Sequence, residues 1–129
     1  MTSELWVLLA SVALGFVHII AASHAASLER GYQWTAGARD ETPPPLSGIA
    51  GRLDRASRNF LETFPLFAAV VLVVHIAGEQ SPSSFWGAQL YFWSRVAYLA
   101  LYVAGVWLVR SLVWNLAFVG IVLTAVTLL

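Results

Sequence analysis

The sequence predicts an all-α integral membrane protein built as a bundle of four transmembrane helices. Three observations lead there. Of the 129 residues, 59% are hydrophobic and only 11% are charged, where a soluble domain carries about 25%. The charges are also unevenly placed: beyond Glu79 only Arg95 and Arg110 are charged. A soluble chain this small would expose far more apolar surface than the patches of roughly a few hundred Å² that soluble proteins tolerate. Third, the apolar residues gather into four stretches, each near the roughly 20 residues that cross a hydrocarbon core.

Taken in order, the first helix is expected over 5–26 and the second over 52–77, its apolar part starting at Phe60. The third is expected over 85–109 and the fourth over 111–129, all within one membrane domain spanning 1–129. With only Arg110 between them, the last two should form a tight antiparallel hairpin. A polar loop over 28–51 separates the first two helices. Its Pro43-Pro44-Pro45 run favours an extended chain and forbids helix, so helical pattern resumes near Gly51. The first segment lacks the basic start of a cleaved signal peptide, having Glu4 there instead, and is read as a retained helix.

Charge patterning sets the orientation. The first loop and its flanks hold Arg30, Arg39, Arg52, Arg55 and Arg58, while the second loop holds no basic residue. Short arginine-rich loops stay cytoplasmic, which puts both termini on the non-cytoplasmic side. The net charge is zero, so no global field points to nucleic acid. Lysine is absent and the seven basic residues are all arginine, a side chain suited to fixed, partly buried, bidentate roles. Without cysteine the chain has no disulfide, thiolate nucleophile or thiolate metal site of its own.

Ionisable groups inside spanning segments are costly, by about 2.5–3.5 kcal/mol on insertion scales, and usually mark function. Arg55, Asn59 and Glu62 fall at i, i+4 and i+7 of the second helix and share one face. Arg58 and Glu62 form an i,i+4 pair, so an interfacial cluster tied up in salt bridges is the competing reading. On the third helix Arg95, Tyr98 and Tyr102 fall at i, i+3 and i+7. Glu62 is the expected partner of Arg95, and a purely structural pair is the alternative. Arg110, in the expected turn, reads either as a site residue or as a positive-inside anchor. His18, His24 and His75 follow no metal-ligand spacing and read as satisfied or interfacial, while Trp86, Trp93, Trp107 and Trp114 read as belt or packing residues. Arginines and phenols together favour an anionic ligand bearing carboxylates, and Glu62 would complement an amine. A small zwitterionic peptide meets both demands.

At these residues the sequence resembles a known family. The run Arg55-Ala-Ser-Arg58-Asn59-Phe-Leu-Glu62-Thr-Phe-Pro65-Leu-Phe67 is similar to the central signature of the MAPEG family, membrane-associated proteins of eicosanoid and glutathione metabolism. Arg95-Val-Ala-Tyr98-Leu-Ala-Leu-Tyr102 resembles its third helix, Arg110-Ser111 the start of its fourth, and the Gly37–Glu41 loop its uncharacterised bacterial branch. The resemblance implies a homotrimer of four-helix protomers with glutathione, a co-substrate, held between protomers near the cytoplasmic face. It places Arg55, Asn59, Glu62, Arg95, Tyr98 and Tyr102 on the ligand, with Arg30 reaching it from a neighbouring protomer. Arg110 becomes the residue that stabilises the glutathione thiolate. Where many bacterial relatives carry a proline before this arginine, the segment here reads Gly105-Val-Trp-Leu-Val109.

The implied activity is a membrane-bound glutathione transferase or peroxidase acting on a lipophilic small molecule that arrives through the lipid bilayer. Two other classes compete with it: a non-catalytic subunit packed against a membrane-complex partner, and a lipid- or quinone-binding protein on the same scaffold. Formation of a glutathione thiolate separates the enzyme from both.

Overall fold

The computed structural model describes residues 1–129, and every regular element in it is helical. Helix α1 runs over Ser3–Arg30, a short α2 over Tyr32–Ala36, α3 over Gly48–Ala77, α4 over Pro82–Ala104 and α5 over Trp107–Ala125, with a closing 3₁₀ turn at Val126–Leu128. Three of these, α1, α3 and α5 with its closing turn, are long and apolar enough to cross a membrane. At 23 residues α4 has the length, but Gln89, Arg95, Tyr91, Tyr98, Tyr102 and its serines dilute its apolar character. The polar side chains of α4 turn inward: Tyr91, Ser94, Arg95 and Tyr98 are all buried against the other helices.

Local chemistry sets the ends. Thr2 caps α1 by accepting from the Leu5 N–H. Ser81 and Ser84 form a reciprocal capping box at the start of α4, with Pro82 in the first helical position where its missing N–H costs nothing. The loop between α1 and α3 is shorter than the expected 28–51, because α1 runs on to Arg30, α2 lies within it and α3 begins at Gly48, ahead of Gly51. Arg30 donates to the Pro44 carbonyl at 3.2 Å, and Glu29 accepts from the backbone N–H and the hydroxyl of Ser47 at 2.9 and 3.0 Å. These bonds strap the extended proline run to the end of α1.

The break between the last two helices lies at Gly105-Val106, earlier than the expected turn at Arg110. Gly105 adopts a left-handed conformation at φ +80°, which a glycine takes without the Cβ penalty of other residues. Arg110 is therefore inside the first turns of α5, held on helical backbone. Farther along the hairpin the backbones nearly touch. A Cβ placed on Gly120 would lie 2.6 Å from the Tyr91 nitrogen, and one on Gly87 would lie 2.7 Å from the Gly120 carbonyl oxygen. Small residues permit this approach, as in membrane helix pairs generally.

The apolar core lies on this side of the bundle, around Val7, Phe67, Val71, Ala88, Tyr91, Ala117 and Ile121. Phe67 stacks on Tyr91 with ring centroids 3.9 Å apart, and Tyr91 shares a hydrogen bond with Thr63 at 3.3 Å. Outside it, large apolar side chains such as Phe16, Ile20, Ile76, Trp93 and Leu112 stay exposed, as suits a surface solvated by lipid.

Candidate functional site

Where α3, α4 and the start of α5 converge, a cavity of about 180 Å³ is lined by Asn59, Tyr98, Arg110, Ser111, Trp114 and Asn115. Each wall follows from helical spacing. Arg110 and Trp114 are one turn apart on α5, and Ser111 and Asn115 repeat that spacing beside them. Asn59 enters from α3 and Tyr98 from α4. The lining is rich in donors and contains no carboxylate.

Behind the wall lies Arg95, which has no exposed surface. Its Nη2 donates to the Asn59 side-chain carbonyl at 2.9 Å, and the guanidinium packs on the rings of Tyr98 and Phe60 at 4.6 and 5.6 Å. Its Nε and Nη1 have no hydrogen-bond partner. A second cationic layer surrounds Tyr102. Arg55 donates from Nε to the Tyr102 hydroxyl at 3.2 Å, and the Arg110 guanidinium lies 4.5 Å from the centre of the same ring. The Tyr98 and Tyr102 rings meet edge to face at 5.5 Å, linking the two layers.

The expected Glu62–Arg95 pair does not form. Glu62 lies on the exposed surface, two residues past the fully buried Phe60 and hence about 200° around the helix from it, and it comes within 4 Å of no arginine. Asn59 has the better angle and takes the guanidinium. Nor does Arg58 pair with Glu62: it turns back one turn to Asp54 at 2.8 Å, the one ion pair within 4 Å in the chain. Arg55, Arg95 and Arg110 thus have no carboxylate partner.

The predicted residues divide clearly. Asn59, Tyr98 and Arg110 line the cavity; Arg55, Arg95 and Tyr102 pack around it; Glu62 lies exposed on the adjoining face of α3. Arg30 is elsewhere in the protomer, over the Trp34 ring at 5.2 Å, and lines a separate loop cavity of about 460 Å³ with Glu29, Glu41 and Pro44. Sequence reasoning missed Asn115; of its two readings of Trp114, belt or packing, the structure favours packing, since the residue stacks on Phe118, walls the cavity and has a buried, unpartnered indole N–H. A polar Asn in an apolar segment, one turn from Ser111, was the available signal. It also overlooked Arg52, which donates to the Val103 carbonyl at 2.9 Å. His18 departs from expectation as well: it is buried, stacked on Phe60 at 4.7 Å, with both ring nitrogens unpartnered.

A buried guanidinium without a counter-charge is expensive unless something anionic arrives. With three arginines and only an outward-facing glutamate nearby, the cluster suits a ligand that carries more negative than positive charge. Its phenol, amide and guanidinium donors match carboxylates or a thiolate. The model of the MAPEG family matches residues 7–129, nearly the entire chain. Comparison with curated proteins finds no match. With the family match over nearly the whole length and three helices long and apolar enough to cross a membrane, the chain belongs to the MAPEG family.

Proposed function

We propose that this chain is a membrane-bound glutathione-dependent transferase or peroxidase acting on a lipophilic electrophile. The observation that carries the reading is the carboxylate-free cavity in which Arg110 and Tyr98 face each other across α4 and α5, backed by the uncompensated charge of Arg95. Glutathione brings two carboxylates, one amine and the sulfur, so its net charge complements the cluster. Arg55, Tyr98 and Tyr102 bind its carboxylates, with the charge of Arg95 acting from behind Asn59 and Tyr98; Asn59 binds a peptide group and Glu62 its amine.

Arg110 holds the sulfur. A free thiol has a pKa near 8.5, and the thiolate is the nucleophile. Lowering that pKa by about 1.5 units requires roughly 2 kcal/mol of preference for the charged form, which one guanidinium in a partly desolvated cleft can supply. The electrophile enters from the bilayer, its apolar body among the exposed side chains of α5. The thiol proton passes to solvent as the thiolate forms. On a carbon electrophile the new C–S bond forms while the leaving group departs with the electrons of its bond, or, in an addition, water protonates the displaced pair. On a hydroperoxide the O–O bond breaks to give an alcohol and a glutathione sulfenic acid, which a second glutathione converts to the disulfide and water.

The reading includes assembly as a homotrimer. The cavity of one protomer is smaller than the roughly 300–1,000 Å³ of typical ligand sites, and Glu62 is left uncovered on a spanning helix. A neighbouring protomer supplies the missing wall, with Arg30 as its contribution. Four spanning helices with α4 as the third, the arginine-rich first loop in the cytoplasm and both termini outside complete the arrangement in a bacterial inner membrane.

The test is ultraviolet difference absorbance of the detergent-purified protein titrated with glutathione near neutral pH. A saturable thiolate band that disappears in Arg110→Ala, with the assembly intact on size exclusion, is the expected result. Binding by calorimetry without a band would favour the second reading, a non-catalytic subunit or lipid- or quinone-binding protein. The stacking of Arg110 on Tyr102 lends that alternative its support, because a guanidinium already seated on a ring is less free to meet a sulfur.

A further inference from the structure

The direction of Arg110 depends on the elbow at Gly105-Val106, and that elbow is incomplete by itself. At the end of α4 the Gly105 N–H donates to the Tyr102 carbonyl and the Val106 N–H to the Leu101 carbonyl, each at 3.1 Å. These two bonds satisfy two of the carbonyls that a helix leaves open at its C-terminus. The next one, Val103, receives no backbone donor. It receives Arg52 instead, whose Nη1 donates to it at 2.9 Å across 51 positions of sequence.

The fit extends to the glycine. A Cβ built on Gly105 would meet Nη1, Cζ and Nη2 of Arg52 at 3.1, 3.2 and 3.3 Å. Three nearly equal distances mean that the guanidinium lies flat against the face of Gly105 where any other residue would carry its side chain. A cation here also faces the negative end of the α4 dipole. One turn along α3, Arg55 donates to the Tyr102 hydroxyl, also on the last turn of α4. The start of α3 therefore holds the α4–α5 corner at two points, and Arg110 stands one and a half turns beyond it.

We infer that Arg52 is a positioning residue: by capping α4 and packing on Gly105 it sets the angle at which α5 leaves the elbow, and so the place of the Arg110 guanidinium in the cavity. This rests on the reading of Arg110 as the thiolate-holding residue. Arg52 lines no cavity and acts only through the elbow. Its removal should change what happens to the sulfur more than it changes ligand binding.

The experiment compares the wild type with Arg52→Ala, Arg52→Lys and Arg58→Ala in detergent. Glutathione affinity is measured by calorimetry, the thiolate band by absorbance, and amide hydrogen exchange across 103–110 by mass spectrometry. Arg52→Ala should bind glutathione within about threefold of wild type, while its thiolate fraction near neutral pH falls about fivefold and the elbow amides exchange faster. Arg52→Lys should restore part of the band, since an ammonium can reach the Val103 carbonyl but cannot lie flat on the glycine. Arg58→Ala, whose guanidinium pairs only with Asp54, should match wild type. An unchanged band in Arg52→Ala, or equal losses of binding and band, would overturn the inference. If the wild type itself forms no thiolate, the catalytic reading fails; faster exchange at 103–110 in Arg52→Ala then still shows that Arg52 holds the elbow, and unchanged exchange removes that role too.

Discussion

The two ends of the α4–α5 hairpin are built on opposite plans. At the far end the polar groups are satisfied and the backbones touch: the Ser84 hydroxyl donates to the buried Glu4 carboxylate at 2.6 Å, Thr124 donates to the Gly120 carbonyl at 2.9 Å, and Gly87 faces Gly120 without room for a methyl group. At the elbow end the groups are under-paired: Arg95 keeps two idle donors, Trp114 keeps one, and Arg55 and Arg110 share a ring rather than a carboxylate. Closed packing at one end supplies the stability that an unsatisfied cationic cluster at the other end consumes. Under the proposed function, the elbow end is where the ligand supplies the missing partners.

If that division is right, damage at the closed end should unfold the hairpin and damage at the open end should spare it. The largest effect is expected from Gly120→Val, which drives a branched side chain into the Tyr91 backbone; it should destabilise by about 3 kcal/mol or more, seen as a lowered thermal midpoint in detergent. Ser84→Ala strands the Glu4 carboxylate and should cost about 1–2 kcal/mol in the same assay, with glutathione binding retained by the folded fraction. Arg95→Met should reverse the pattern. It removes a buried charge that has only a neutral partner, so the midpoint should hold or rise, while glutathione affinity falls about tenfold by calorimetry. A lower midpoint with unchanged affinity would instead make Arg95 a packing residue. The smallest effect is expected for Glu62→Gln: stability unchanged, because no ion pair exists to lose, and affinity down about fivefold through the weakened amine contact.

Much of this was legible in the sequence, for identifiable reasons. Length and apolarity located the helices, and helical spacing put Asn59 on a face with Arg55 and Tyr98 on a face with Tyr102; no spacing joins residues of three helices, and Arg110 entered the cluster only through the family resemblance. What failed were inferences that need an angle or a distant neighbour. Glu62 and Arg95 lie at plausible depths, but only the buried face defined by Phe60 shows that Glu62 points away. Gly105 sits in an apolar run and reads as helix interior, while the charge of Arg110 drew the expected boundary to itself. Arg52 could not be found at all, since its role exists only when the start of α3 meets the end of α4.

The near-contact of Gly87 and Gly120 has a mechanical consequence for the elbow. Measured along α5 at 1.5 Å per residue, Arg110 lies about 7 Å from Gly105 and Gly120 about 22 Å. A tilt about the elbow that carried Arg110 sideways by about 1 Å would have to carry Gly120 by about 3 Å, into or away from the backbone it touches. Helix α5 is thus a lever clamped at its long end, so the elbow that Arg52 holds sets the place of Arg110 within the small play this clamp leaves.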